Sequence, residues 1–268
     1  MIHKIFAVLF LFFLLPATSQ ETTVHTDFLL GKFDYRSAGD FEKVEKRYAD
    51  KPVYLNSVVY AAYKEMHSAA VKDGIDLKIL SGTRNFEEQK KIWEKKWNKM
   101  QSLSHLERAR SILAFSAMPS TSRHHWGTDI DLNYLENSNF EKGQGKAVYE
   151  WLVKNASRFG FYQVYTSREH GRPGYHEEKW HWSYLPLASK FLSLYNQTIT
   201  SREITGFVGS DLAEEVRIIP EYVNGINNHL HDDLLIGMVS KGLVKLQENA
   251  GIELYHEEHL SQEAKMSF

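Results

Sequence analysis

The sequence predicts a protein of mixed α-helices and short β-strands. Apolar residues recur at the i, i+3, i+4 spacing of a buried helix face in several segments, and short alternating segments lie between them. The chain has 268 residues, of which 43% are hydrophobic and 25% charged, as in a globular protein with a substantial core. Its 32 Lys and Arg nearly balance its 34 Asp and Glu, so the charge favours neither nucleic acid nor an acidic membrane as a partner.

The chain contains no cysteine. This excludes disulfides, thiolate-held zinc or iron–sulfur clusters, a cysteine nucleophile and the acylated cysteine of a lipoprotein. Any zinc must therefore be held by imidazole and carboxylate groups, a ligand set typical of open catalytic sites.

The first residues have the layout of a secretory signal. Lys4 precedes an apolar run over 5–15, which is followed by the small residues Ala17 and Ser19. The run is short for a bilayer span, although an N-terminal membrane anchor is the alternative. Cleavage after Ser19 predicts a periplasmic or secreted protein that retains no stable membrane span.

The predicted elements then follow in order. Residues 20–50 are polar and broken by glycines, which indicates an arm lying over the domain. A helix is predicted from Pro52 to the Asp73-Gly74 pair, because proline suits the first turn and glycine the C-terminal cap. Alternation around Leu77 and Ile79 predicts a short strand. The predicted buried face of the helix consists of Leu55, Val58, Val59, Ala62, Tyr63, Met66 and Ala70.

A second helix begins near Phe86. Its predicted buried stripe is Phe86, Gln89, Trp93 and Trp97, and its mostly solvated side carries Lys90, Lys91, Lys95 and Lys96. Further helices are predicted at 101–120, 145–159, 187–198, 208–218 and 232–249, and further strands at 161–165 and 180–184. The predicted division is a signal peptide at 1–19, an arm at 20–50, a central domain at 51–199 and a helical C-terminal extension at 200–268.

Three segments, 81–89, 122–133 and 177–182, combine ionisable and aromatic residues. In a strand, Asp129 and Asp131 share one face, and Gly127 permits a sharp turn that returns a histidine beside a carboxylate. A histidine and an aspartate brought together in this way form half of an oxygen and nitrogen metal site.

The last segment supplies the remainder of such a site. In a strand, His181 faces away from Trp180 and Trp182, and Glu178 in the preceding turn reaches the same centre. Zinc held by two histidines and one carboxylate keeps a fourth position for water, and a free glutamate can take that water's proton. This set is suited to hydrolysing an amide without a nucleophilic side chain.

Together, the motifs resemble a known enzyme family. Ser-Gly-x-Arg-x-x-x-x-Gln from residue 81, Ser-x-His-x-x-Gly-x-x-x-Asp from residue 122 and Glu-x-Trp-His from residue 178 resemble the VanY-type zinc D-alanyl-D-alanine carboxypeptidases of the M15 peptidases. The resemblance covers about residues 50–186. It implies a small α+β fold in which helices flank an antiparallel sheet carrying a central zinc site, so that the central domain is a zinc peptidase domain.

The resemblance also implies roles for individual residues. It makes His124, Asp131 and His181 the ligands of one zinc ion per chain. Glu178 becomes the general base for the zinc-bound water. Arg84 matches the arginine that polarises the scissile carbonyl, which a fixed guanidinium can do as an oxyanion clamp.

The sequence identifies the substrate-binding residues less clearly than the metal ligands and the general base. Gln89 and Ser122 are candidates for holding the terminal carboxylate and backbone of the peptide, although Gln89 is equally placed to be a helix-surface residue.

Three alternatives remain open at the level of sequence. His125 is the alternative ligand to His124, and Glu177 is the alternative base to Glu178. Asp129 stands where the family commonly has a small residue. It is expected either to hydrogen-bond a ligand histidine or to compete for the metal.

The function implied is that of a secreted zinc carboxypeptidase that hydrolyses the terminal peptide bond of peptidoglycan stem peptides. The same site suits a cross-link endopeptidase or a D-alanyl-D-alanine dipeptidase. A non-catalytic cell-wall binding module is the alternative of a different class.

Overall fold

An antiparallel sheet of four strands positions the residues singled out by the sequence. The computed structural model describes residues 26–227, 244–246 and 252–254. The strands outside the C-terminal region are β1 (Phe41–Lys43), β2 (Tyr54–Asn56), β3 (Ile79–Ser81), β4 (Asp129–Leu132), β5 (Phe161–Gln163) and β6 (His181–Tyr184). The central sheet has the order β3-β4-β6-β5, and β1 pairs with β2 in a separate ribbon. Every pairing is antiparallel, so the structure has the mixed α+β character expected.

Five helices longer than six residues surround the sheet in the described part of the chain. They are α1 (Ser57–Lys72), α2 (Phe86–Trp97), α3 (His105–Ile112), α4 (Gly143–Asn155) and α5 (Leu185–Thr198). None of the helices in the described ranges is both long and apolar enough to cross a membrane.

The two faces of the sheet differ in polarity. Ile130 and Trp182 pair across β4 and β6 and lie in a buried cluster with apolar residues of α1 and α4. Because side chains alternate along a strand, Asp131 and His181 lie on the opposite face. The apolar face therefore anchors the strands in the core, while the other face carries the chemistry.

The first predicted helix starts later than its sequence indicates. Residues 54–56 form β2 against β1, and the Asn56 side chain caps α1 by accepting a hydrogen bond from the Val58 N–H. Leu55 is buried as predicted, but from a strand rather than a helix. Val58 is 56% exposed, so its predicted place in the core is wrong.

Capping residues determine two other helices. The predicted helix at 101–120 is only α3, because Ser104 and Glu107 form a capping box at its start and it ends at Ile112. The predicted helix at 145–159 is present as α4 and a following 3₁₀ turn. Gly160 ends it at φ +82°, where glycine carries no steric cost.

The region beyond residue 200 is less helical than predicted. Instead of a helix over 208–218 there is a short 3₁₀ turn and then a π-helix at Ile218–Val223. The left-handed backbone of Arg217 and the missing N–H of Pro220 explain the break. Strands β7 (Val244–Leu246) and β8 (Ile252–Leu254) pair with each other, so residues 244–246 are not helical as predicted.

Residues after 200 nevertheless contribute to the core. Ile204, Phe207, Ile218 and Ile226 lie in the same buried cluster as Trp93 of α2. The rest of the predicted helix at 232–249 and the predicted signal at 1–19 lie outside the described residues. The division into domains stays a prediction.

Candidate metal centre

Two neighbouring strands bring two of the candidate metal ligands together. Asp131 of β4 and His181 of β6 are register partners, and His181 Nδ1 lies 3.2 Å from Asp131 Oδ1. Both residues are almost fully buried. The pair therefore rests on the hydrogen-bonded backbone of the sheet rather than on a loop.

A tight turn adds the second histidine. His124 lies in the 3₁₀ turn Arg123–Trp126, which Gly127 ends at φ +69° before β4 begins. A side chain at Gly127 would place its Cβ 2.4 Å from the ring of Phe41, so the predicted role of this glycine in the turn is confirmed. The His124 Nδ1 lies 2.8 Å from the Gly82 carbonyl oxygen.

The three side chains fit a single metal ion. Because a carbonyl only accepts, His124 Nδ1 carries the proton and its Nε2 lone pair faces Asp131 Oδ1 at 3.5 Å. Tetrahedral ligands with bonds of about 2.0–2.1 Å are separated by about 3.3 Å. The two ligand-to-ligand distances, 3.5 and 3.2 Å, lie close to that value, and one ligand atom from each of the three residues lies within 4.8 Å of the others.

Asp129 orients the His181 ring through a hydrogen bond to the nitrogen that does not face Asp131. Its Oδ2 lies 2.8 Å from His181 Nε2, so it accepts the Nε2 proton and leaves Nδ1, which faces Asp131, as the nitrogen available to a metal once it is deprotonated. The same carboxylate accepts from Arg123 Nε at 3.0 Å and from the Ser183 hydroxyl at 2.8 Å. Of the two sequence alternatives for Asp129, the geometry supports the hydrogen bond to a ligand histidine.

Electrostatics place His124 and Asp131, but not His181, in the protonation states that a metal ion requires. Burial, together with the charge of Arg84, lowers the pKa of His124, so its ring is neutral near pH 7. Burial opposes ionisation of Asp131, but the interactions with His124 and His181 outweigh it and hold its pKa well below the usual value. A neutral imidazole beside an ionised carboxylate is what a metal cation requires. Burial lowers the pKa of His181, but its hydrogen bonds to Asp129 and Asp131 outweigh burial and raise it to about 9, so metal binding must displace a proton from this ring.

A buried glutamate lies next to this set. Glu178 Oε2 lies 3.7 Å from His181 Nδ1, and burial raises the pKa of Glu178 to about 8, against the opposing charge of His181. Glu177 is partly exposed, and its backbone carbonyl accepts a hydrogen bond from Asn137. The geometry therefore favours Glu178 over Glu177 as the carboxyl group that can move a proton at this centre.

Arg84 reaches the centre from the loop after β3. Its Nη1 lies 3.6 Å from Asp131 Oδ2 and donates to the Ser81 hydroxyl at 2.7 Å. His125 supports this loop, since its Nε2 accepts from the Ser120 N–H and its Nδ1 donates to the Arg84 carbonyl at 2.7 Å. His125 is thus engaged away from the ligand set, and His124 is the histidine that meets Asp131.

The centre opens into a cleft of about 540 Å³. Gln89 and Ser122 both line the cleft, as do the exposed side chains of Phe115 and Leu135. Gln89 is a buried residue of α2, so it is not a helix-surface side chain. All seven residues first assigned to the site from the sequence therefore line the same cleft, whereas the alternatives His125, Glu177 and Asp129 do not.

Sequence reasoning missed three residues around the centre. Arg123 is almost fully buried and neutralises Asp129, and Ser183 bonds both of these residues. Tyr165 packs its ring 4.7 Å from that of His181. Strand alternation from His181 could have indicated Ser183. In contrast, neither the burial of an arginine nor the contact of Tyr165, which lies just after β5, leaves a signal in a single sequence.

A buried His-Asp-His set with a protonatable glutamate beside it is the arrangement typical of a metal-dependent hydrolase. The model of one family, described as "VanY: D-alanyl-D-alanine carboxypeptidase", matches residues 52–187, just over half of the chain. The chain belongs to the VanY D-alanyl-D-alanine carboxypeptidase family.

Two curated proteins are similar in sequence. A D-alanyl-D-alanine carboxypeptidase of Enterococcus faecalis is 28% identical over 142 residues, which are 52% of this chain and 51% of that protein. The protein YodJ of Bacillus subtilis is 30% identical over 147 residues, 54% of this chain and 49% of that protein. The chain thus spans about half the length of the curated relatives it matches.

Solved structures of low sequence identity are also similar to this chain. VanYB in complex with D-alanine-D-alanine is 22% identical, with a TM-score of 0.46 over 62% of this chain and 87% of that one. The LD-carboxypeptidase LdcB is also 22% identical, with a TM-score of 0.46 over 63% of this chain and 77% of that one.

Proposed function

We propose that this protein is a secreted, zinc-dependent D-alanyl-D-alanine carboxypeptidase that removes the terminal residue of peptidoglycan stem peptides. The observation that carries the proposal is the buried set of His124, Asp131 and His181, in which the second nitrogen of each histidine is engaged by a protein oxygen. Membership of the VanY family supports the terminal D-alanyl-D-alanine bond as the bond that is hydrolysed. The layout of residues 1–19 supports secretion.

The donor chemistry of the site suits one zinc ion per chain. When bound, zinc supplies Lewis acidity, which polarises a carbonyl and makes water acidic enough to attack near neutral pH. His124 and His181 supply nitrogen, and Asp131 supplies one carboxylate oxygen. The Asp129 carboxylate fixes the orientation of the His181 ring, so little reorganisation accompanies binding.

Side chains of the protein itself transfer the proton and stabilise the carbonyl oxygen. Glu178 takes the proton of the attacking water and then passes it to the leaving amine, a role for which burial raises the pKa of its carboxyl group to about 8. Arg84 holds the oxygen of the scissile carbonyl as negative charge develops on it. The Ser81 and His125 hydrogen bonds keep Arg84 in place for that role.

Defined muropeptides test the proposal. Purified full-length protein is incubated with a stem pentapeptide, a D-alanyl-D-alanine dipeptide and a cross-linked dimer, with and without a chelator, and the products are identified by mass spectrometry. The proposal predicts loss of one alanine from the pentapeptide only without chelator. Splitting of the dimer would identify an endopeptidase, cleavage of the free dipeptide alone would identify a dipeptidase, and binding without any cleavage would identify a non-catalytic module.

A further inference from the structure

One face of α2 forms a long wall of the cleft. Gln89, Ile92 and Lys96 all line the cleft, at positions i, i+3 and i+7 of the helix. The sequence places Lys96 on the solvated side, but its side chain is only partly exposed and its Nζ donates to the Ser116 hydroxyl at 2.5 Å. Lys96 therefore points its ammonium group into the cleft rather than into bulk water.

The positively charged side chains of the cleft differ in whether a carboxylate lies close to them. Arg84 lies 3.6 Å from the carboxylate of Asp131, and Arg123 lies 3.0 Å from that of Asp129. Among the described residues, no carboxylate comes within 4 Å of Lys96. Burial lowers the pKa of Lys96, with the negative charge of Glu178 acting in the opposite direction. A partly desolvated ammonium group without an acidic partner favours an anionic ligand.

Gln89 is poorly suited to that anion. Its Nε2 donates to the Ala117 carbonyl at 2.8 Å, and its buried Oε1 has no hydrogen-bond partner among the described residues. An amide oxygen can only accept, so it repels a carboxylate and fits an N–H donor such as a peptide amide. The structure thus favours the backbone of a peptide, and not its terminal carboxylate, as the partner of Gln89.

We infer that Lys96, together with Ser116, binds the α-carboxylate of the C-terminal residue of the substrate, while Gln89 Oε1 accepts a backbone N–H of the same peptide. This inference rests on the proposed function and deepens it. A cation that requires a free carboxylate selects a chain end over an internal bond. It therefore favours a bond next to a free α-carboxylate, such as that of the C-terminal residue, over an internal backbone bond.

The test compares a stem pentapeptide with its C-terminal amide. The wild-type protein is expected to prefer the free acid. Lys96→Met should lower kcat/KM for the acid by about 10- to 100-fold, mainly through KM, because a charge-assisted hydrogen bond is lost. Its kcat/KM for the amide should fall much less, because the uncharged amide does not form a charge-assisted hydrogen bond. Lys96→Arg should restore part of the preference for the acid. Lys95→Met, one residue earlier and exposed, is the matched control and should behave as wild type.

A second measurement separates this inference from the proposed function. Calorimetry in a Glu178→Gln background follows binding of D-alanyl-D-alanine and of its C-terminal amide, with and without Lys96→Met. If Lys96→Met abolishes the preference for the acid over the amide, the inference is supported. If the wild-type protein releases no alanine, only the proposed function is overturned, and the binding result still supports the inference. An unchanged preference overturns the inference.

The carboxylate could also come from a side chain further up the stem peptide. A peptide whose side-chain carboxylate is converted to an amide, while its C-terminus stays free, distinguishes the two sources. Full sensitivity to Lys96→Met with this peptide supports the C-terminal assignment. Loss of that sensitivity overturns it.

Discussion

Asp131 and His181 face each other directly across β4 and β6, with His181 Nδ1 3.2 Å from Asp131 Oδ1. The position of two candidate ligands is thus set by strand register. If either strand slipped by one residue, its own candidate ligand would turn to the other face, and Ile130 or Trp182 would take its place at the centre. The apolar packing of those two residues against α1 and α4 holds the register in place.

The ligand set predicts the metal content of the protein. Wild-type protein reconstituted with zinc should hold one ion per chain, and His124→Ala should lose it, because two remaining ligands bind zinc weakly. Elemental analysis after gel filtration measures the content. His105→Ala, an exposed histidine beside Trp97, is the control and should retain the ion. Full zinc content in His124→Ala would remove His124 from the ligand set.

Substitution of Glu178 and of its neighbour Glu177 should have very different effects on kcat. Glu178→Gln should lower kcat by about 10²- to 10⁴-fold while leaving the zinc content unchanged, because the group that moves the proton is lost. Glu177→Gln should stay within about twofold of wild type, since its side chain is partly exposed and surface substitutions seldom act at a distance. Release of D-alanine from the stem pentapeptide measures both. The opposite ranking would make Glu177 the base.

Asp129 should affect metal affinity without being a ligand. Asp129→Asn should weaken zinc binding by about 10- to 100-fold, because the His181 ring loses its charged hydrogen-bond partner, yet still bind one ion at saturating zinc. Competition with a chelating dye measures the affinity. Asp131→Asn is the matched comparison and should bind no stoichiometric zinc. If Asp129→Asn also failed to bind one ion, Asp129 would itself be a ligand.

Glu88 should make stability depend on pH. It accepts hydrogen bonds from the Tyr35 hydroxyl, the Arg36 guanidinium and the Asn85 N–H, and so ties the N-terminal arm to the start of α2. Burial raises the pKa of Glu88, but these bonds outweigh burial and lower it. Because the pKa is lower in the folded state, the carboxylate stabilises the fold above its unfolded pKa, and this contribution is lost as pH falls through the folded pKa.

Urea unfolding of Glu88→Gln tests this effect. At pH 7 the substitution should lower the free energy of unfolding by about 1 kcal/mol or less, since the side chain of Glu88 is partly exposed. The difference from wild type should disappear in acid, below the folded pKa. Glu87→Gln, exposed and one residue earlier, should differ from wild type at neither pH. A difference that persists in acid would show that the effect is not one of ionisation.

Local patterns in the sequence determined much of this protein. Alternation in Asp129-Ile130-Asp131 and in the Trp180–Trp182 segment separated the polar from the apolar face, because successive side chains of a strand point to opposite sides. The ordered motifs led to the family that the match over residues 52–187 confirms. The stop at Gly160 and the turn at Gly127 followed from the freedom of glycine to adopt positive φ.

Only the tertiary structure decided what depends on contacts between distant segments. Residues 54–56 are a strand because β1 pairs with them, and the helical spacing of Leu55 and Val58 does not reveal that partner. Asp129 hydrogen-bonds His181 Nε2 because Arg123 and Ser183 also bind its carboxylate and hold it beside that atom. Lys96 faces the cleft because the Ser116 segment lies opposite α2. Spacing within one element gives a side chain's direction, whereas its partner depends on which other element folds against it.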